Sequence, residues 1–312
     1  MQNKNLQTMQ TFTLKNLPNL DVAVLGALEL FTETKIPELN LKKYKKPLVV
    51  GSGNGAVTGK ILFDGEDVVL ADESNYKLKL KKIKDIDGAI LISASGSKHA
   101  ITLAQDFKKR KLETVLLTNN PDAPAKKYID PDKFFVFPKN KEPYTYNTST
   151  YMSMILGKTK ENPEKIKDFI LHTTHKQVKK NFKKYDSFYL IVPNEFDAMR
   201  ELFTTKFDEL FQPVVSGRVF TPEQSKHAKS VADNSKELFI SFGYDNKLFG
   251  KKNNRLNISL PINASYATIM AMVYYTIGKI QEQHPPYFKK GIAKYCAGAS
   301  KIFNKTISPI VE

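Results

Sequence analysis

Apolar residues in this chain gather in short continuous runs rather than in alternating patterns. Pro47–Gly51, Val68–Asp72, Gly88–Ser93, Thr114–Thr118 and Phe134–Phe137 are such runs in the first half. Phe188–Val192, Val214–Phe220, Glu237–Ser241 and Leu256–Leu260 are their counterparts in the second. A run with no polar side suits a strand covered on both faces, and hence a parallel sheet. Helical spacing marks Val22–Thr34, Lys98–Arg110, Asn147–Leu156, Ile166–Lys176, Asn194–Phe211, Ala264–Ile280 and Tyr287–Phe303. Repeated β–α units predict an α/β fold with doubly wound parallel sheets flanked by helices. Gly157–Pro163 is polar, contains a proline and reads as a linker. It divides the chain into residues 1–158 and 159–312, two halves that resemble a loose duplication. Two domains also match the length of 312 residues.

A hydrophobic content of 41% is enough for real cores. Met1–Leu17 has neither the basic start nor the apolar stretch of a signal peptide, and the apolar run Ile269–Ile277 is too short for a membrane span. Cys296 is the lone cysteine, which excludes an intramolecular disulfide and suits a reducing compartment. It reads as a buried, inert thiol. A cytoplasmic location, with no membrane partner, is the expectation.

The net charge of +16 raises the question of nucleic acid. Its make-up argues against it. Only Arg110, Arg200, Arg218 and Arg255 are arginines; the remaining cations are lysines spread over helix faces. The densest groups, Lys42–Lys46 and Lys176–Lys184, read as solvated linkers. Arginine is the usual bidentate reader of phosphate and guanine, so nucleic acid is not an expected partner. A diffuse positive field instead gathers small anions.

The most informative segment is Ile90-Leu-Ile-Ser-Ala-Ser-Gly-Ser-Lys-His99. A buried strand ends in small hydroxyl residues and a glycine, and a helix begins at once. Such a turn aims free backbone N–H groups and a helix dipole at one point, where a phosphate can sit. Ser93, Ser95 and Ser97 add hydroxyls, Gly96 lets the backbone approach, and Lys98 adds charge. Capping explains one serine but not three with a glycine among them. Gly51-Ser-Gly-Asn-Gly55 follows the first strand, and Gly53 and Asn54 are candidates for a second wall. It lacks the third glycine and later acidic residue of a dinucleotide site, so no NAD is expected. Thr118, at a strand end, and Thr148, at a helix start, either complete the polar lining or are ordinary caps.

The succession Gly51-Ser-Gly-Asn, Ile92-Ser-Ala-Ser-Gly and Leu117-Thr-Asn resembles the SIS (sugar isomerase) domain family across most of Leu20–Leu156. The resemblance implies flavodoxin-like domains that bind a phosphosugar. The family often carries Ser where Gly55 stands and Thr where Lys98 stands, so the cradle here is expected to be rebuilt around Ser97 and Lys98. The second half resembles the second SIS domain of the glucosamine-6-phosphate synthase isomerase module and of bifunctional phosphoglucose/phosphomannose isomerases. Lys206-Phe-Asp-Glu209 and Glu223-Gln-Ser-Lys-His227 carry that likeness. It implies Glu209 as the base that shuttles a proton between C1 and C2, and His227 as the ring-opening group, which in the family can come from a neighbouring subunit. A homodimer follows from that. The tail Lys305-Thr-Ile-Ser-Pro-Ile-Val-Glu312 is similar to the synthase tail, whose lysine lies over the sugar. Arg218 either stabilises enediolate charge or is a structural salt-bridge partner; Glu209 is alternatively a surface partner of Lys206.

The expected activity is therefore interconversion of aldose and ketose phosphates through an enediol(ate), with no cofactor, metal or nucleotide. The competing expectation is a non-catalytic phosphosugar sensor. The arginine of phosphoglucose/phosphomannose isomerases is missing from Pro143–Thr150.

Overall fold

The apolar runs become strands, and the segments between them become helices. The computed structural model describes residues 3–41 and 43–312; Lys42, in the first lysine group, lies outside them, as do Met1 and Gln2. Helices α1 (Lys4–Thr11) and α2 (Leu20–Glu33) precede β1 (Leu48–Gly51), α3 (Asn54–Leu62), β2 (Val69–Asp72) and α4 (Tyr76–Lys82). Next come β3 (Ala89–Ile92), α5 (His99–Lys109), β4 (Thr114–Thr118), β5 (Phe134–Val136), β6 (Glu142–Pro143) and α6 (Thr148–Thr159). Helix α7 (Pro163–Phe169) runs through a π-helical turn at Ile170–Thr174 into α8 (His175–Gln177). The chain continues with β7 (Ser187–Ile191), α9 (Arg200–Phe211), β8 (Ser216–Phe220), α10 (Pro222–Ser225), β9 (Glu237–Phe242) and β10 (Arg255–Ile258). It closes with α11 (Tyr266–Gln283), α12 (Tyr287–Ile302) and β11 (Ile310–Val311).

The first sheet has the order β2-β1-β3-β4-β5, every neighbouring pair parallel, which is the flavodoxin-like order. The second has the order β8-β7-β9-β10, again all parallel. Both sheets thus place their first strand between the second and the third. The fold class read from the sequence is the one observed, and the duplication is visible as shared strand order.

The chain forms two compact units, and they are discontinuous. The smaller comprises Thr34–Lys139 and Thr150–Lys160; the larger takes the chain up to Glu33, Asn140–Ser149 and Glu161–Glu312. A single division at 158/159 does not describe them. Gly157, read as the start of a linker, lies inside α6, where an added Cβ would come within 2.5 Å of the Pro37 carbonyl oxygen. The break is the short turn at Lys160, after which Asn162 caps α7 by accepting from the Lys165 N–H.

In the smaller unit Leu48, Val50, Leu91, Leu116 and Phe107 form a buried cluster between strands and helices. In the larger unit α11 is buried almost all round, as its unbroken apolar sequence requires. Helix α2 packs along it at Gly278, where a Cβ would lie 2.0 Å from the Asp21 backbone nitrogen, and Lys279 pairs with Asp21 at 2.8 Å. Glu29 accepts from the Leu6 N–H at 2.7 Å and from Asn5 at 2.8 Å, holding α1. Glu161 accepts from the N–H groups of Ser265, Ala267 and Thr268, and so caps α11. The segment Asn194–Phe211 is not one helix: Asn194–Met199 is 3-10, with Phe196 off helical geometry, and α9 begins at Arg200. Among the described residues no helix is long and apolar enough to cross a membrane.

Candidate functional site

In the smaller unit the carboxyl ends of β1, β3 and β4 carry three polar turns, at the topological switch point of the sheet. After β3 the chain turns through Ser93–Lys98. The Gly96 N–H donates to Ser93 Oγ and to the Ser93 carbonyl, both at 3.2 Å, while the Gly96 carbonyl accepts from the Ala125 N–H at 2.9 Å. Gly96 has φ +59, and a Cβ there would meet the Ala123 methyl at 2.3 Å, so only glycine fits. Ser95 Oγ and Ser97 Oγ lie 2.7 Å apart. Among the described residues, no acceptor faces the backbone N–H groups of Ser95, Ser97, Lys98 and His99. Free amides before an 11-residue helix are the kind of arrangement that can accept an anion.

Helices α3 and α5 are entered through the same backbone shape. Gly53 has φ 50 and ψ −125; Lys98 has φ 52 and ψ −118. Glycine adopts this conformation freely, whereas at Lys98 it is strained. The Lys98 side chain is exposed at the helix start. Asn54 opens α3, and Gly55 packs so closely that a Cβ would stand 2.9 Å from the Ile92 carbonyl oxygen. Two further polar groups belong to this edge. Ser52 Oγ and Asn119 Oδ1 are buried with no partner among the described residues. Ser52 was not singled out from the sequence, although it lies within the glycine-rich turn; its burial is a tertiary effect.

Thr118 is placed differently from expectation. It is fully buried, donates to the Ala94 carbonyl oxygen at 3.0 Å and accepts from the Asn120 N–H at 3.2 Å. Its hydroxyl is committed, so Thr118 braces the Ser93–Gly96 turn rather than lining it.

In the larger unit the notable group is Lys206. It is fully buried, and its ammonium donates to the carbonyl oxygens of Thr145 (2.7 Å) and Tyr146 (2.8 Å) and to Glu209 Oε2 (2.6 Å). The i,i+3 pair read as a surface alternative is instead half sunk, with Glu209 19% exposed and Lys206 closed off. The ammonium thereby fixes the Glu209 carboxylate against the 142–149 segment. Glu142 is buried there and accepts from the N–H groups of Thr148 (2.8 Å) and Ser149 (2.6 Å). Burial pushes the Glu142 carboxyl up, against the pull of these amides and of Lys206. Thr148, expected among the sugar-binding residues, groups with this unit; its hydroxyl is buried and has no partner among the described residues.

The C-terminal tail joins the same segment. Strand β11 pairs antiparallel with β6, and the Tyr144 N–H donates to the Pro309 carbonyl oxygen at 2.9 Å. Burial pushes the Tyr144 hydroxyl up, and the nearby Tyr295, Cys296 and Glu209 add to it. Lys305 is exposed on this tail. Cys296 is buried, as expected, and burial pushes its thiol up.

Arg218 and His227 do not join the group. The Arg218 guanidinium forms a forked pair with buried Glu237 (2.7 and 2.8 Å) and lies over the Tyr189 ring at 4.8 Å. It is the structural salt-bridge partner, not an enediolate stabiliser. His227 is exposed in the turn after α10.

No family model matches this sequence, and neither does any curated protein. Solved structures do match. A glucosamine-6-phosphate deaminase from Thermotoga maritima is 16% identical, covering 92% of this chain and 96% of that one, with a TM-score of 0.56. The C-terminal domain of glucosamine-fructose-6-phosphate aminotransferase from Francisella tularensis is 11% identical, covering 89% and 99%, with a TM-score of 0.57. The tagatose-6-phosphate ketose/aldose isomerase from Escherichia coli is 13% identical, covering 92% and 94%, also with a TM-score of 0.57. At such identities the likeness establishes the fold: this chain shares with these proteins, over nearly their whole length, an α/β architecture of parallel sheets flanked by helices.

Proposed function

We propose that this protein is a cytoplasmic, homodimeric phosphosugar isomerase that interconverts aldose and ketose phosphates through an enediol(ate), without metal or nucleotide. The reaction needs a holder for the phosphate and a base that carries a proton between C2 and C1. The observation that carries the proposal is the buried Lys206 ammonium fixing a partly exposed Glu209 carboxylate, since a proton shuttle must be held still yet remain reachable. The free amides of Ser95–His99, with the hydroxyls of Ser93, Ser95 and Ser97, supply the holder. In the proposed reaction Glu209 removes the C2 proton, leaving an enediolate, and returns it to C1. His227 assists ring opening, and Lys305 covers the sugar. Lys206 is a positioning residue. The three similar structures, two of them of a deaminase and an isomerase of sugar phosphates, support the substrate class.

The sensor reading draws on Arg218, which is tied to Glu237 and leaves the site one cation poorer. Incubation with a panel of hexose and pentose phosphates in D2O, followed by proton NMR, separates the two. An isomerase replaces the C2 proton of one sugar with deuterium; a sensor shifts ligand resonances and exchanges nothing.

A further inference from the structure

The second sheet has its own switch point, between β7 and β9, at the place where the first sheet carries its cradle between β1 and β3. A cavity of about 920 Å3 opens there, on the carboxyl ends of all four strands and within the larger unit. Asn194 and Glu195 reach it from the turn after β7, Glu223 from the start of α10, Tyr244 and Asp245 from the turn after β9, and Asn257 from β10. Gly243 keeps it open: with φ +62 and a would-be Cβ 2.6 Å from Leu260, this turn cannot carry a side chain.

Its chemistry is the reverse of the cradle's. The chain has 48 lysines and arginines, yet among the described residues none lines this cavity, whereas three carboxylates do. Lys226 and Lys247 pair with Glu223 (2.6 Å) and Asp245 (3.0 Å) but stay outside it, largely exposed. The turn after β9 leads into a 3-10 turn and β10 rather than a helix, and the two short helix starts that do line the space, at Asn194 and Pro222, each carry a carboxylate in their first turn, Glu195 and Glu223. The lining thus offers a phosphate carboxylates and no cation. Side-chain amides and carboxylates beside the Tyr244 and Phe196 rings instead offer acceptors and donors for vicinal hydroxyls, with apolar faces for the carbon skeleton. We propose that this cavity is a second ligand site, selective for a polyhydroxylated molecule that carries no phosphate, such as a neutral or amino sugar.

Saturation-transfer NMR and calorimetry with glucose, glucosamine and glucose 6-phosphate test the proposal on the full chain. Glucose or glucosamine should bind saturably. The double variant Glu195→Gln/Asp245→Asn, at exposed positions, should weaken that binding about tenfold. Asn194→Trp should abolish it by filling the mouth. Ser95→Ala, in the other unit, should leave it unchanged and weaken only glucose 6-phosphate. The proposal is overturned if neither unphosphorylated sugar binds. It is equally overturned if their binding is lost in Ser95→Ala and survives Asn194→Trp. Because the proposed isomerase reading rests on Ser95 and Glu209, and this one on Glu195, Asp245 and Asn194, either can fail alone.

Discussion

Replacing Lys206 with Met removes a buried ammonium while keeping most of its volume. Three acceptors within 2.8 Å lose their donor: two backbone carbonyls and the Glu209 carboxylate. Breaking a buried ion pair from one side costs about 3–5 kcal/mol, because the partner charge is left without compensation. For a unit of this size that corresponds to a melting shift of roughly 6–20 °C. The loss should be local. Hydrogen exchange read by mass spectrometry should quicken in α9 and in residues 142–149, and remain unchanged in the first sheet. A second substitution, Glu209→Met, should restore part of the stability, since the stranded carboxylate is then gone. On the proposed isomerase reading, Lys206→Met should lower kcat far more than it raises KM, because Lys206 holds the Glu209 carboxylate. A melting shift under about 1 °C, or a double variant no more stable than the single, would refute the account of Lys206.

Ser95→Ala should weaken sugar-phosphate binding by about 1–3 kcal/mol in a titration, with the ligand-free melting temperature unmoved. Glu113 is held down to about 2 by its bonds with Lys43, Tyr44 and Lys133. Its folded value is depressed, so its contribution is complete above the unfolded value of about 4.5 and is lost as pH falls towards about 2; Glu113→Gln should flatten the stability profile in that window. Gly278→Ala should destabilise by about 1–3 kcal/mol in urea unfolding, since its methyl group forces α2 away from α11 at Asp21.

Strands β1, β3, β4, β7 and β9 were legible because fully covered strands are written as unbroken apolar runs. The turn at Ser93–Lys98 was legible because serines, a glycine and a helix start lie next to one another in the chain. What escaped depends on distant neighbours. That α1 and α2 belong with α11 rests on Glu29 beneath α1 and on Gly278 against Asp21, 257 positions apart, which no local pattern announces. Thr118 sits where a ligand contact belongs, but its hydroxyl is already taken by Ala94 and Asn120. Arg218 left two readings open, and only the placement of Glu237 on β9, across β7 from Arg218 on β8, decides between them. Lys206 looked like a surface partner of Glu209; the carbonyls of Thr145 and Tyr146, some 60 positions away, make it the buried anchor.

The central claim, that Glu209 is the proton shuttle, is tested most directly by Glu209→Gln in the D2O exchange assay. The substitution keeps shape and polarity but removes the base. Deuterium incorporation at C2 should fall by roughly two to four orders of magnitude, with sugar-phosphate affinity within about threefold of the unaltered protein. Undiminished exchange in Glu209→Gln would contradict the account.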